Sequence, residues 1–236
     1  MAMEEHLNQL DAFDQKLRPH MLKVAEYYQS LAINSKSDPK ITCTQFGFLM
    51  GGEYYTAALR DAKDGMLFSA SGSARTFMEI VADMYHIHHD PKKQDARAKK
   101  YVDSLDSFRE EILKAADAVE KGTMVRIKQI NPWTSTTIED RMRAFGDAAL
   151  GMYDYLSYPA HGNPAMVTFY RIAPLKEGLR ITVTAAALQM MLSILHIALK
   201  EGGAQGTTLE AVLELQKDFQ AINTSYNVEP PCHDVE

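Results

Sequence analysis

The feature that most constrains this 236-residue chain is the spacing of its apolar residues, which recur at steps of three and four along most of its length. An α-helix completes a turn in about 3.6 residues, so this spacing places apolar side chains on one face. The pattern is clearest near the start, in one stripe: Leu7, Leu10, Phe13, Leu17, Met21, Val24, Tyr28 and Leu31. Because similar stripes follow, the chain is predicted to be all-α.

Prolines, glycines and capping residues divide this pattern into about six or seven helices, predicted to form one bundle over residues 1–236. Pro19 predicts a kink or a split in the first helix, within residues 1–36, because proline lacks a backbone N–H. Asp38 and Pro39 predict the N-cap and first position of the second helix.

Five further helices are expected after the second one. They begin and end near residues 66–89, 91–121, 138–157, 184–201 and 209–223. The penultimate helix, at 184–201, is nearly all apolar and is expected to be central. Thr136 and Glu139 are spaced as a capping box for the helix that begins at Ile138. A short β-hairpin is allowed near residues 166–184, where β-favoured residues surround Pro174 and Gly178. The tail at 229–236 is expected to be frayed.

Composition and cysteine usage predict a cytoplasmic globular protein. Hydrophobic residues make up 46% of the chain and charged residues 24%, as in ordinary globular domains. Cys43 and Cys232 have no metal-site spacing and are expected to be reduced thiols. The first ten residues lack the apolar core of a signal peptide. The longest apolar stretch, 185–199, is shorter than the roughly 20 residues of a membrane span, so no membrane partner is expected.

The net charge of −6 disfavours nucleic acid as a partner except through a local basic patch. One candidate patch lies near the start of the fourth helix and consists of Lys92, Lys93, Arg97, Lys99 and Lys100. A solvated helix face explains the same pattern without any partner.

The third helix carries a polar stripe on an otherwise apolar segment. Arg75, Glu79, Ala82 and His86 fall within one sector of the helix. An arginine and a glutamate on a buried helix need partners, so Arg75 and Glu79 are expected to be buried and hydrogen-bonded, with Tyr153 or His161 close to them. They are interpreted either as an ion pair that fixes helix register or as part of a polar site between helices.

A second candidate segment runs from Tyr153 to Pro164, where a helix ends in a restrained turn. His161 lies in this turn and has a side chain suited to exchanging a proton near neutral pH. Tyr155 and Asn163 are expected to add neutral hydrogen bonds at the rim. A histidine that caps helix carbonyls is the alternative.

Together the two segments carry a resemblance. The Arg-x-x-x-Glu of Arg75–Glu79, followed by the Tyr-x-x-Leu-Ser-x-x-x-His of Tyr153–His161, resembles a widespread prokaryotic all-helical family of unknown function. That family is distantly similar to the HEPN superfamily of helical ribonucleases and nucleotide-binding proteins. The resemblance spans about residues 46–219 and implies a bacterial protein linked to nucleotide or RNA, of defence or toxin–antitoxin type. The usual HEPN signature, an arginine followed four to six residues later by histidine, is absent after Arg141 and Arg143.

The resemblance leaves three function hypotheses open. The first is the HEPN-like protein; if it is an enzyme, a ribonuclease-like or phosphate-ester hydrolase activity is expected. In that site His161 exchanges a proton, Arg75 holds an anionic group and Glu79 orients Arg75, with Tyr153, Tyr155 and Asn163 contacting substrate. The second is a non-enzymatic small-molecule-binding or interaction module.

The third hypothesis is a metal-dependent bundle enzyme, suggested by the run of His86, His88 and His89 and by Glu26 and Glu53 on other helices. The sequence has no Glu-x-x-His pair, and the three histidines occupy different helix faces. We therefore expect no metal and no cofactor.

A homo-oligomer is also expected. The fifth and penultimate helices carry more large apolar residues than one buried stripe requires. These residues are Met142, Phe145, Met152, Tyr153, Leu188, Met191, Leu192 and Leu195.

Overall fold

The computed structural model describes residues 3–31, 38–120, 133–160 and 171–226, and within these ranges it contains helices and no strand. The all-α prediction is confirmed. The helices are α1 (Met3–Ser30), α2 (Pro39–Lys63), α3 (Leu67–His88), α4 (Gln94–Glu120), α5 (Ile138–Phe145), α6 (Asp147–Ala160), α7 (Ala173–Lys200) and α8 (Leu209–Tyr226). The predicted frayed tail lies outside the described residues.

The core is built by α2, α3 and α7, each of which packs on the other two. Around them, α1 and α8 pack on α7 and on each other, α4 packs mainly on α2, and α5 and α6 pack on α3. α7 is buried around most of its circumference between Leu179 and Ala198, where its side chains are mainly apolar. The prediction that the penultimate helix is central is confirmed.

Two glycines of α2 allow this close packing. A Cβ atom at Gly51 would lie 2.5 Å from Cε2 of Phe77 on α3, and one at Gly47 would lie 2.6 Å from Sδ of Met84. Real side chains cannot approach so closely. The next glycine, Gly52, has no atom within 4 Å of its Cβ position and is therefore not required by packing.

The N-terminal cap of α2 is the predicted residue, and that of α5 lies one residue after the predicted one. Asp38 caps α2 by accepting a hydrogen bond from the Lys40 backbone N–H at 2.8 Å. The cap of α5 is Thr137, which accepts from the Asp140 N–H at 3.1 Å. The predicted pairing of Thr136 with Glu139 is therefore wrong by one position.

Two helix boundaries differ from those the sequence suggested. Of the two alternatives at Pro19, the split is wrong, because α1 runs through the proline as one helix, and the fully buried Leu17 and Val24 anchor it to the core on either side. Conversely, the single helix expected at 138–157 is two helices. They are separated at Gly146, whose φ of 150° and ψ of 147° are readily adopted only by glycine.

The hairpin expected near 166–184 is wrong over the residues that the structure describes. α7 begins at Ala173, with Pro174 in its first turn, where a missing N–H costs little. Ile181 and Val183 are buried on this helix. The β propensity of such residues mainly reflects a preference for packed surroundings, which the bundle interior also provides. Residues 166–170 lie outside the described ranges.

α7 is also longer than the apolar stretch seen in the sequence. It is long and apolar enough to cross a membrane by length and composition, contrary to the estimate from residues 185–199. About 72% of its most apolar window is buried inside the bundle, as in the core helix of many globular proteins.

The apolar residues that suggested a homo-oligomer lie inside this chain. Met142, Leu188, Met191, Leu192 and Leu195 are fully buried, Tyr153 is nearly so, and Phe145 and Met152 pack against the core. Their number reflects the central position of α7 and therefore gives no argument for an interface.

We predict that Gly51→Ala and Gly52→Ala change stability in opposite directions, although the two residues are neighbours. Gly51→Ala forces Phe77 to move and should destabilise the fold by about 1–3 kcal/mol. Gly52→Ala should stabilise it by about 0.5–1 kcal/mol, because alanine loses less backbone entropy in a helix. Urea denaturation of both variants measures this, and equal effects would contradict the packing of α2 on α3.

Candidate functional site

The polar face of α3 is an Arg–Glu–Asp series at four-residue steps, made of Arg75, Glu79 and Asp83. The side chains that contact it come from α5, α6 and the segment before α5. At the N-terminal end of this face, Nη2 of Arg75 lies 3.3 Å from Oε1 of Glu79. This pairing agrees with the sequence prediction.

Tyr153 of α6 joins the two charged groups. Arg75 Nη2 donates a hydrogen bond to the Tyr153 hydroxyl at 2.7 Å, and that hydroxyl donates to Glu79 Oε1 at 2.9 Å. The guanidinium also lies 5.0 Å from the centre of the Tyr153 ring, within the range of a cation–π contact. Tyr153 was one of the two predicted neighbours, and the structure places it in direct contact with both residues.

The pair is less buried than expected. The side chain of Arg75 is 24% exposed and that of Glu79 is 37% exposed, whereas Tyr153 is buried. The expected full burial is wrong, because α6 covers α3 through the Tyr153 ring and leaves the charged groups at the edge. The charged end of the cluster is consequently accessible to a ligand.

Asp83 begins the more deeply buried end of the same face. Nε of Arg141, on α5, lies 2.6 Å from Asp83 Oδ1, and the two side chains are 13% and 18% exposed. The Trp133 indole lies beside the same carboxylate. Burial raises the pKa of Asp83 to about 6, although Arg141 and Trp133 act to lower it. Asp83 therefore titrates much closer to neutral pH than an ordinary aspartate.

His86 continues the face beyond Asp83. Its ring packs edge-on against Trp133 at 5.7 Å between ring centres, and its carbonyl accepts a hydrogen bond from Arg97 Nη1 at 2.6 Å. Burial, together with the positive charge of Arg97, lowers the pKa of His86 to about 4. One residue of the predicted basic patch thus lies directly at the end of the α3 face.

Two of the predicted site residues, His161 and Asn163, lie outside the described residues. Tyr155 packs against the apolar core. The sequence reasoning missed Asp83, although the four-residue step after Glu79 was the available signal. It also missed Arg141 and Trp133, whose separation in sequence from Asp83 gave no signal.

The histidine run divides between two environments. The His88 Nε2 atom lies 2.8 Å from Oγ1 of Thr44, in a buried contact with α2. The rings of His86 and His89 are 5.6 Å apart, so the expectation that these two histidines occupy different helix faces is wrong. Among the described residues, no group of three or more histidine, cysteine or acidic side chains is arranged to hold a metal ion.

Comparison with known proteins gives no further assignment. No protein-family model matches the chain, and neither a curated protein nor a solved structure matches it.

We predict that Asp83 and His86 make opposite contributions to the pH dependence of stability. Folded Asp83 keeps its proton up to about pH 6, whereas the unfolded side chain loses it near pH 3.8, so its contribution falls as pH rises through this window. The folded state binds a proton on His86 only near pH 4, whereas the unfolded state does so near 6.5. The His86 contribution therefore rises with pH.

Asp83→Asn should consequently make the free energy of unfolding rise more steeply between pH 4 and 6 than in the wild type, and His86→Gln should make it rise less. Each slope should change by up to about 1.4 kcal/mol per pH unit. Urea denaturation at several pH values measures both. Parallel profiles for the wild type and the two variants would contradict the prediction.

Proposed function

We propose that this chain is a HEPN-like helical-bundle protein that binds a nucleotide or RNA at the polar face of α3. The main support is the accessible cluster of Arg75, Glu79 and Tyr153. It combines a guanidinium, a carboxylate and a phenol at the edge of the bundle. A guanidinium presents several N–H donors in a plane, an arrangement that suits phosphate oxygens. A bound phosphate would share these donors with Glu79.

In this proposal each residue has a chemical role. Arg75 binds a phosphate, and Glu79 and Tyr153 hold the guanidinium in place. His161, which directly follows α6 in the sequence, exchanges the proton if the protein is an enzyme. Asn163 and Tyr155 are proposed to supply neutral hydrogen bonds. The reaction would be ribonuclease-like or another phosphate-ester hydrolysis.

The basic patch supports an extended anionic partner. Lys92, Lys93, Lys99 and Lys100 are exposed, and Arg97 reaches the end of the α3 face through the carbonyl of His86. Lys93 and Lys99 are paired with Asp90 and Asp103, which reduces the net positive charge. Binding of RNA through this patch should weaken as salt concentration rises.

The alternative is a non-enzymatic binding or interaction module. Its support is the second ion pair, because Arg141 and Asp83 are mostly buried and satisfy each other's charge. Such a pair positions α5 against α3 without any ligand. In this alternative the whole α3 face has a structural role.

We predict that His161→Ala abolishes cleavage of RNA or of a phosphate-ester substrate without changing the melting temperature. Arg75→Ala should reduce both activity and stability, because it breaks the charged hydrogen bond to Tyr153, worth about 1.5–3 kcal/mol, and the ion pair with Glu79. Arg143→Ala, at an exposed arginine of α5, is the control and should behave as the wild type. If His161→Ala and Arg75→Ala retain wild-type binding and activity, the α3 face has only a structural role.

We also propose that the chain forms a homo-oligomer, through residues other than the apolar ones that suggested it in the sequence. α4 carries the exposed large apolar side chains Phe108, Ile112 and Leu113 on its second half. Light scattering should return a mass above 26.5 kDa, and Phe108→Glu should lower it to that value. Leu213→Glu, at an exposed leucine of α8, should leave the assembly unchanged. A wild-type mass of 26.5 kDa would exclude the assembly.

A further inference from the structure

We propose that the groove between α1 and α2 binds an amphipathic anion, a small molecule with a phosphate or carboxylate head and an apolar body. The groove is formed by helices other than those that complete the polar face of α3. The site goes beyond the proposed function and would exist whether or not the α3 face binds a nucleotide.

One end of the groove is rich in positive charge. A cavity of about 360 Å³ lies where α1, the last turns of α2 and the start of α7 meet. Its walls contain four cationic residues and two acidic ones: Arg18, Arg60, Lys63 and Arg180, with Asp11 and Asp14. In a chain of net charge −6, this local excess of positive charge favours an anionic ligand.

Of the two acidic residues, Asp14 is buried, and neighbouring side chains already balance its negative charge. The buried Tyr55 hydroxyl donates a short hydrogen bond to Asp14, and Arg18 Nε donates to the same carboxylate at 2.8 Å. Two of the other cations are less engaged. Arg180 Nη1 lies 3.7 Å from Glu177 Oε2, which is beyond hydrogen-bond distance. Lys63 makes no ion pair within the described part of the chain. Lys63 and Arg180 are therefore the residues assigned to the anionic head.

The other end of the groove is mainly apolar. A second cavity, of about 540 Å³, is lined by Met21, Phe48 and Leu49 among others. Thr56 and Arg60 line both cavities, so the two meet near the last turns of α2. The cavities fall in the size range of small-molecule sites. Their arrangement fits a ligand whose head lies near Lys63 and whose body extends toward Met21.

Gly52 is an independent observation that points to the same groove. Glycine in a helix interior costs about 1 kcal/mol relative to alanine. Gly47 and Gly51 are explained by contacts with α3, whereas Gly52 has open space at its Cβ position and lines the apolar cavity. A side chain at Gly52 would enter the cavity, so glycine at this position keeps the cavity open.

The test uses the full chain and the fluorescent anion 8-anilinonaphthalene-1-sulfonate as a reporter. Saturable binding of one probe per chain is expected. Octyl phosphate or decanoate should displace the probe, and whichever acts at the lower concentration identifies the head group. Inorganic phosphate and the neutral octyl glucoside should each be at least tenfold less effective, because each lacks one half of the ligand.

Matched variants locate the site. Gly52→Leu should weaken probe binding at least tenfold without lowering the melting temperature. Gly72→Leu is its control on α3, because Gly72 also has open space and, like Gly52, accepts a hydrogen bond from a threonine four residues later. Lys63→Gln with Arg180→Gln should weaken binding at least tenfold. Lys114→Gln with Lys217→Gln, which remove the same charge from exposed positions of α4 and α8, should not.

Two results would overturn the proposal. One is the lack of saturable binding to the wild type, and the other is equal effects of the groove variants and their controls. Neither result bears on the α3 face, because none of these substitutions changes Arg75, Glu79 or His161. Loss of RNA cleavage in His161→Ala, conversely, leaves the groove assignment unchanged.

Discussion

The close packing of α2 on α3 is the constraint on which the rest of the structure depends. Gly47 and Gly51 let Met84 and Phe77 lie against the backbone of α2, with α7 packed on both helices. This contact determines which face of α3 is buried in the apolar core. The opposite face, with its charged residues, must then be covered by α5, α6 and the Trp133 segment. The site on α3 is thus a consequence of small residues on another helix.

Two ion pairs lie along α3, and they are buried to different depths. Arg75 with Glu79 is partly exposed and joined by Tyr153, whereas Asp83 with Arg141 is mostly buried and contacts Trp133. Burying a charged pair involves a large desolvation penalty, so the inner pair suits a role in fixing helix positions. The outer pair retains contact with solvent and can exchange partners. This gradient is why we assign ligand binding to the Arg75 end.

The groove follows from how α1 is held. α1 packs more extensively on α7 than on α2, while Tyr55 of α2 reaches Asp14 and Gln45 of α2 reaches the carbonyl of Tyr28. These polar contacts join α1 and α2 at separated points and leave space along the outer side. Arg60, Lys63 and Arg180 surround one end of that space. Helices joined by a few buried polar contacts can hold such a groove open without a continuous apolar interface.

The sequence by itself determined the helical class, the capped start of α2, the central position of the penultimate helix and the pairing of Arg75 with Glu79. All depend on residues within a few positions of one another or on local hydrophobicity, because helix geometry relates neighbours directly. Only the tertiary structure decided that residues 173–184 are helical, that α1 continues through Pro19 and that Asp83 meets Arg141. Each of these depends on burial against distant segments. Packing partners separated by tens of residues leave no periodic signal in the chain, and their contacts override local preference.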